Sequence, residues 1–343
     1  MPAGARIVTR ADRKHGQLIL AGDIGGTKTW LRLAESIPGG LRTVREQRFE
    51  SAEFDGLVRM IQLFIASEST PIEIRSACFG VAGPVEGGRA TLTNLPWSVD
   101  ADEISQQCDI AAVRLINDFE AIGYGIEVLE DRDMVTLQIG RPVAKGPRAV
   151  LGAGTGLGVC LIVPDREHDQ VIATEGGHVD FAPTDELQMG LLRFLQARFG
   201  HVSYERILSG PGLVNIYEFL QNTGAHQPAA ALAQALQTDG AAAAISQAAL
   251  GDHDSCARAA LQLFITIYGA QAGNLALMAL ARGGVYLAGG IAPKVVEEFR
   301  TGEFMRAFCA KGRFAALLST IPVHVVLNPQ VGLMGAALVA SRQ

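Results

Sequence analysis

The chain has 343 residues, 48% of them hydrophobic and 19% charged, more than one typical domain needs and enough apolar material for a sizeable core. That composition excludes a disordered or low-complexity polymer, and a net charge of −6 gives no electrostatic case for a polyanionic partner. Glycine, at 39 residues, runs above the usual share of about 7%, as tight turns and close backbone approaches require.

In chain order, residues 1–16 carry Arg6, Arg10, Arg13 and Lys14 with no apolar run behind them, and read as a short solvated extension rather than a targeting signal. Residues 18–21 predict a strand ending at Gly22-Asp23, and the alternation after Gly25-Gly26 predicts a second, so the pair is a hairpin with a glycine tip. Phe54, Leu57, Val58, Ile61, Phe64 and Ile65 recur at helical spacing. Strands follow near 74–81 and 113–116, the latter ending in Asn117-Asp118. From 149 the same grammar returns: a strand, the glycine turn of 152–158, and a strand to 163, which suggests a duplicated α/β core facing itself across a cleft.

The second half is richer in helix. Leu187, Leu191, Leu195 and Phe199 form one stripe before Gly200, an Ala-rich stretch covers 229–249, and a long helix runs from 254. A strand at 285–288, a helix opened by Pro293, a strand near 321–327 and a closing helix at 332–341 complete the chain. Residues 259–281 carry no charge and hold Gly269 and Gly273 in a GxxxG, the pattern of a membrane helix. Gln262, Gln271 and Asn274 interrupt it, so a buried helix whose glycines admit a close neighbour is the expectation. The cysteines Cys78, Cys108, Cys160, Cys256 and Cys309 are odd in number, scattered and without a CxxC pair, which fits a reducing compartment.

Several motifs carry chemistry, each beside a plainer alternative. GAGTGLG at 152–158 fails as a dinucleotide fingerprint because position 157 is leucine and a strand follows where a crossover helix is needed. It is either a tight turn or a hairpin whose successive N–H groups, with the Thr155 hydroxyl, cradle phosphate oxygens. Asp23 in GDIGGT is either a turn cap or a carboxylate that holds hydrated Mg²⁺ beside phosphate. Asp118 is either a helix cap or a base for a substrate hydroxyl. Glu175, His178 and Glu205 are surface ion-pair partners or acceptors and donors for a polyhydroxylated ligand, since no third metal ligand at plausible spacing accompanies the Glu175–His178 pair.

Taken together, GDIGGT at 22–27, IND at 116–118, GAGTGLG at 152–158, EGGHVDFAP at 175–183, ERILSGPGL at 205–213 and AGGI at 288–291 stand in one order and spacing. The chain resembles the bacterial glucokinases, of the hexokinase–actin–heat-shock ATPase superfamily, from about residue 18 to its end. The resemblance implies an α/β, duplicated actin-like or ribonuclease-H-like ATPase fold: a small domain of 1–128 with 328–343, a large one of 129–327, and an interdomain cleft. It implies ATP-dependent phosphorylation of D-glucose to glucose 6-phosphate, the entry step of glycolysis, with Asp118 as general base. Gly22, Asp23, Ile24, Gly25, Gly26 and Thr27 match the phosphate-1 element, with Asp23 positioning Mg²⁺ through water. Gly154, Thr155 and Gly156 match phosphate-2, and Gly289 and Gly290 the adenosine element. Asn117, Asp118, Glu175, His178 and Glu205 match the sugar-binding set, and Asn94 is added to it. A cytoplasmic homodimer using ATP and Mg²⁺, with no nucleic-acid or membrane partner, is the family expectation.

Two departures stand out. Lys28 occupies a position where many of these enzymes have asparagine; lysine there resembles the related ROK sugar kinases, and it bears on nucleotide preference. ROK proteins carry a cysteine-rich zinc motif after the histidine, whereas residues 179–200 contain no cysteine, so no structural zinc is expected. The rivals are a sugar-binding regulator, against which stand Asp118 and the mere seventeen residues before the first strand, and a kinase for another hexose.

Overall fold

Residues Leu18–Ile24 (β1) form a strand buried on both faces, which is why LILAGDI reads as a continuous apolar run rather than an alternation. In the computed structural model, which describes residues 17–68, 72–92, 95–224, 232, 236 and 240–343, the chain falls into two units. One is residues up to Val128 with Val331–Gln343, and the other is Leu129–Gln330.

In the first unit β1 pairs antiparallel with β2 (Lys28–Ile37), and β2 with β3 (Gly40–Glu50). After helix α1 (Leu57–Ala66) comes β4 (Ile74–Val81), parallel to β1. A small ribbon of β5 (Val85–Glu86), β6 (Arg89–Thr91) and β7 (Ser98–Asp100) leads to α2 (Ala101–Cys108), capped by the Asp100 carboxylate on the Asp102 and Glu103 N–H groups. Strand β8 (Ala112–Asn117) then lies parallel to β4, and α3 (Asp118–Gly125) starts directly from its end. The sheet order is β3-β2-β1-β4-β8. Leu20 and Ile24 point toward Met60, Ile61 and Phe64 of α1 on one face.

The second unit repeats this plan. Strand β9 (Met134–Gln138) forms an edge; β10 (Arg148–Ala153) and β11 (Leu157–Val163) make the hairpin, and β12 (Gln170–Thr174) extends it. Helices α4 (Glu186–Phe199), α5 (Gly210–Asn222), α6 (Ala241–Leu250) and α7 (Ser255–Met278) precede β13 (Gly284–Ala288), then α8 (Glu303–Cys309) and β14 (Val323–Val326). The order β12-β11-β10-β13-β14 is the first sheet's order repeated, with β9 added antiparallel at the edge. The duplication expected from two hairpins is thus present in the connectivity. The chain ends in α9 (Val331–Ser341), which belongs to the first unit and packs Leu333, Ala336 and Ala340 with Ile19, Ala21 and Cys78 on the other face of its sheet.

Helix α7 is buried for most of its length, and the GxxxG pair fulfils the expectation of a close neighbour. A Cβ on Gly269 would stand 2.2 Å from the Phe304 carbonyl oxygen and one on Gly273 2.4 Å from that of Phe308, both in α8. Among the described residues no helix is long and apolar enough to cross a membrane.

Some expectations need correction. Leu187, in the first turn of α4 after the Asp185 cap, is exposed, whereas Leu191 and Leu195 are buried in the core and Phe199 packs half-buried against it. Pro293 opens a 3₁₀ turn (Ala292–Val295), followed by a single α turn (Val296–Phe299). Residues 1–16, Asn94 and much of the Ala-rich stretch before Ala241 lie outside the described residues.

Candidate active site

Parallel strands discharge their carboxyl ends at one edge of a sheet, and in open α/β sheets that edge is where ligands sit. In the first unit the register places Asp23 opposite Gly80 and Asn117 opposite Val81, so the ends of β1, β4 and β8 come together. The Asn117 side chain holds this edge: its Nδ2 donates to the Gly83 carbonyl at 3.1 Å, and its Oδ1 accepts from the Phe119 and Glu120 N–H groups at 2.9 and 3.4 Å. The helix cap is therefore Asn117, and Asp118 is the first residue of α3, its Oδ1 accepting from the Phe119 N–H at 2.9 Å. Gly80 permits the approach, since a Cβ there would lie 2.9 Å from the Ala121 Cβ.

Asp23 sits behind the glycine tip of the β1–β2 hairpin, closed by a bond from the Gly25 N–H to the Lys28 carbonyl at 3.0 Å. Burial, and then the negative charge of Asp118, pushes its carboxyl up to about 6. Two carboxylates so placed, one of them poorly hydrated, form a place where a divalent cation lowers the energy of both. Among the described residues no three His, Cys, Asp or Glu side chains gather to hold a metal by themselves. That donor set fits Mg²⁺, which keeps its waters and takes one or two carboxylates plus phosphate oxygens. Thr27 and Lys28 lie exposed beside the tip.

In the second unit the corresponding edge is glycine. A Cβ on Gly289, whose φ is +80°, would stand 2.5 Å from the Ala153 carbonyl oxygen, and the Ile291 N–H reaches the same oxygen at 3.2 Å. The Gly289-Gly290 turn and the β10–β11 hairpin are thus joined through backbone. Gly154 and Gly290 differ: a Cβ on either meets nothing within 4 Å, and neither has a left-handed φ. The fold gives no reason for glycine at these two positions, and the unfilled space is what a ligand approaching the backbone needs.

Glu175, His178 and Glu205 are brought together in the same unit. His178 Nε2 lies 3.8 Å from Glu175 Oε2 and its Nδ1 3.9 Å from Glu205 Oε1, too long for hydrogen bonds. Their donor and acceptor capacity stays available to a ligand. Glu205 reaches further than its motif suggested, for its Oε2 accepts from the Leu157 N–H of the hairpin at 2.9 Å. Behind it the Tyr204 hydroxyl accepts from Asn274 Nδ2 at 3.1 Å, and Asn274 Oδ1 accepts from Lys311 Nζ at 2.7 Å. Burial lowers the Lys311 pKa and raises that of Tyr204. Leu157, Tyr204 and Asn274 drew no functional reading from sequence, because a backbone N–H and a buried network leave no motif.

The doubled sheet, the paired hairpins and the carboxylate at a strand end define a phosphotransferase of the actin-like ATPase class. Among solved structures, glucokinase from an Antarctic psychrotroph superposes with a TM-score of 0.83 at 29% identity, covering 95% of this chain and 99% of the other. A ROK family glucokinase from Streptomyces griseus, solved with glucose and AMPPNP, superposes at 0.63 with 21% identity over 95% and 100%, a likeness of fold. The glucokinase family model matches residues 20–343. Glucokinase of a Nostoc species is 45% identical over 339 residues, 95% of this chain and 99% of the relative. The chain belongs to the glucokinase family, and its activity is the ATP-dependent phosphorylation of glucose.

Proposed function

We propose that the protein transfers the γ-phosphoryl group of Mg-ATP to the 6-hydroxyl of D-glucose with Asp118 as general base. The observation that supports this most is the edge where β1, β4 and β8 end, which gathers Asp23, Asn117 and Asp118. An Asp118 carboxylate oxygen accepts the 6-hydroxyl proton as that oxygen attacks phosphorus and the bond to the ADP oxygen breaks; the products are glucose 6-phosphate, ADP and a proton. Mg²⁺ supplies charge neutralisation at the phosphates when bound, and Asp23 orients its hydration shell. Asn117 fixes the start of α3 and so aims Asp118, with its second N–H serving a sugar hydroxyl. Glu175, His178 and Glu205 take sugar hydroxyls, each of which wants a donor and an acceptor. Gly154, Thr155 and Gly156 face the phosphates and Gly289 and Gly290 the nucleoside. A cytoplasmic homodimer belongs to the same reading, its dimer state open to light scattering.

The test is Asp118→Asn, which keeps the shape of the side chain and removes the base. Calorimetry is expected to register glucose binding close to wild type while turnover falls by at least about 10². Turnover above a tenth of wild type would remove Asp118 from the role.

A further inference from the structure

Glu205 is held between two features of the second unit that the proposed reaction uses separately. One carboxylate oxygen, Oε2, accepts from the Leu157 N–H at 2.9 Å; the other, Oε1, lies 3.9 Å from His178 Nδ1. The hairpin accommodates this only because position 156 is glycine, where a Cβ would stand 2.5 Å from Oε2. The clasp is doubled by the Gly210 N–H, which donates to the Gly154 carbonyl at 2.8 Å, while Ser209 Oγ donates to the Glu205 carbonyl at 2.7 Å. From the other side, Gly177 presses on Leu157, its absent Cβ lying 1.9 Å from the Leu157 carbonyl oxygen. Leu157 is thus gripped at its N–H by Glu205 and at its carbonyl by the loop carrying His178.

We infer that Glu205 couples the two substrates: Oε2 fixes the phosphate-2 hairpin, Oε1 takes a sugar hydroxyl, and glucose and nucleotide bind with positive, reciprocal coupling through this carboxylate. The inference rests on the function proposed above. The sign follows from charge. A carboxylate oxygen against a loop that cradles phosphate repels the incoming anion. A sugar hydroxyl donating to Oε1 draws negative density away from the hairpin and holds the carboxylate in one orientation, so phosphate enters at lower cost. By linkage the nucleotide then raises sugar affinity by the same factor.

The experiment measures the Kd of Mg-ADP by calorimetry with and without saturating glucose; ADP lacks the phosphate that would touch the sugar, so any coupling runs through protein. Wild type is expected to bind ADP at least about fivefold tighter with glucose present. Glu205→Gln removes the charge, so it should bind ADP more tightly than wild type without sugar, and its coupling factor should fall toward one. Gly156→Ala, which displaces Oε2 from the hairpin, should lose coupling likewise. Glu175→Gln should weaken glucose binding and keep the wild-type factor. A wild-type factor of one, an unchanged factor in Glu205→Gln, or weaker sugar-free ADP binding in that variant overturns the inference while leaving glucose phosphorylation standing. Failure of wild type to bind glucose at all would remove the proposed function, and this inference with it.

Discussion

Asp23 illustrates how a buried carboxylate strains the ligand-free protein. Its pKa, raised by burial and then by Asp118 from an ordinary 3.8 to about 6, means that folding favours the protonated form. The stability it contributes is present below about pH 4 and is lost as pH rises through about 6. Asp23→Asn removes that penalty, so denaturant unfolding without ligands should find the variant more stable than wild type at pH 8, by up to about 3 kcal/mol, and close to wild type at pH 4. A variant no more stable at pH 8 would mean that the carboxyl is not held in a destabilised state. The residues of this edge were legible in sequence because each sits where an apolar run stops. What was not legible is the division of labour between neighbours: Asn117, not Asp118, caps the helix, which depends on where β8 turns into α3.

Glycines separate into two kinds at the scale of elements. Gly125 and Gly335 let α3 and α9 cross in backbone contact: a Cβ on Gly335 would stand 1.8 Å from the Ala121 carbonyl oxygen. Gly154, on the hairpin, meets nothing. Gly335→Ala should therefore destabilise the protein by at least about 2 kcal/mol through overpacking. Gly154→Ala should leave stability within about 0.5 kcal/mol and raise the KM for ATP about tenfold or more, because the added methyl fills the space beside the hairpin and holds the phosphate off its donors. Equal melting temperatures for both variants, or an unchanged KM in Gly154→Ala, would contradict the assignment. Both hairpins, α1, α7, β4 and β13 were readable from periodicity, whereas β3 was not. LRTVREQRFE is an edge strand with mostly exposed or half-exposed side chains, so pairing with β2 rather than an apolar stripe makes it a strand. The ribbon β5–β7 escaped because its strands are too short to show a period, and the caps of α2 and α5 because Asp100 and Ser209 also fit ordinary turns.

At the scale of the molecule, one arrangement is used twice: an antiparallel hairpin followed by parallel strands whose ends carry the chemistry. The first copy ends in carboxylates and an amide, suited to a metal and a proton; the second ends in glycines, suited to phosphate and nucleoside. Sequence revealed the duplication as repeated grammar, although the two copies share few residues, because turn chemistry survives where side chains have diverged. Periodicity alone did not assign the closing helix to either sheet; only the family resemblance grouped 328–343 with the first domain, and the contacts behind that grouping are those of Leu333, Ala336 and Ala340 with β1 and β4.

The most direct test of the whole account is ADP release from Mg-ATP measured against glucose, fructose, mannose and N-acetylglucosamine. The account predicts the highest kcat/KM with glucose, since a site that hydrogen-bonds each hydroxyl rejects an analogue that misplaces one. Preference for another sugar of the panel, or glucose bound without turnover, would contradict it.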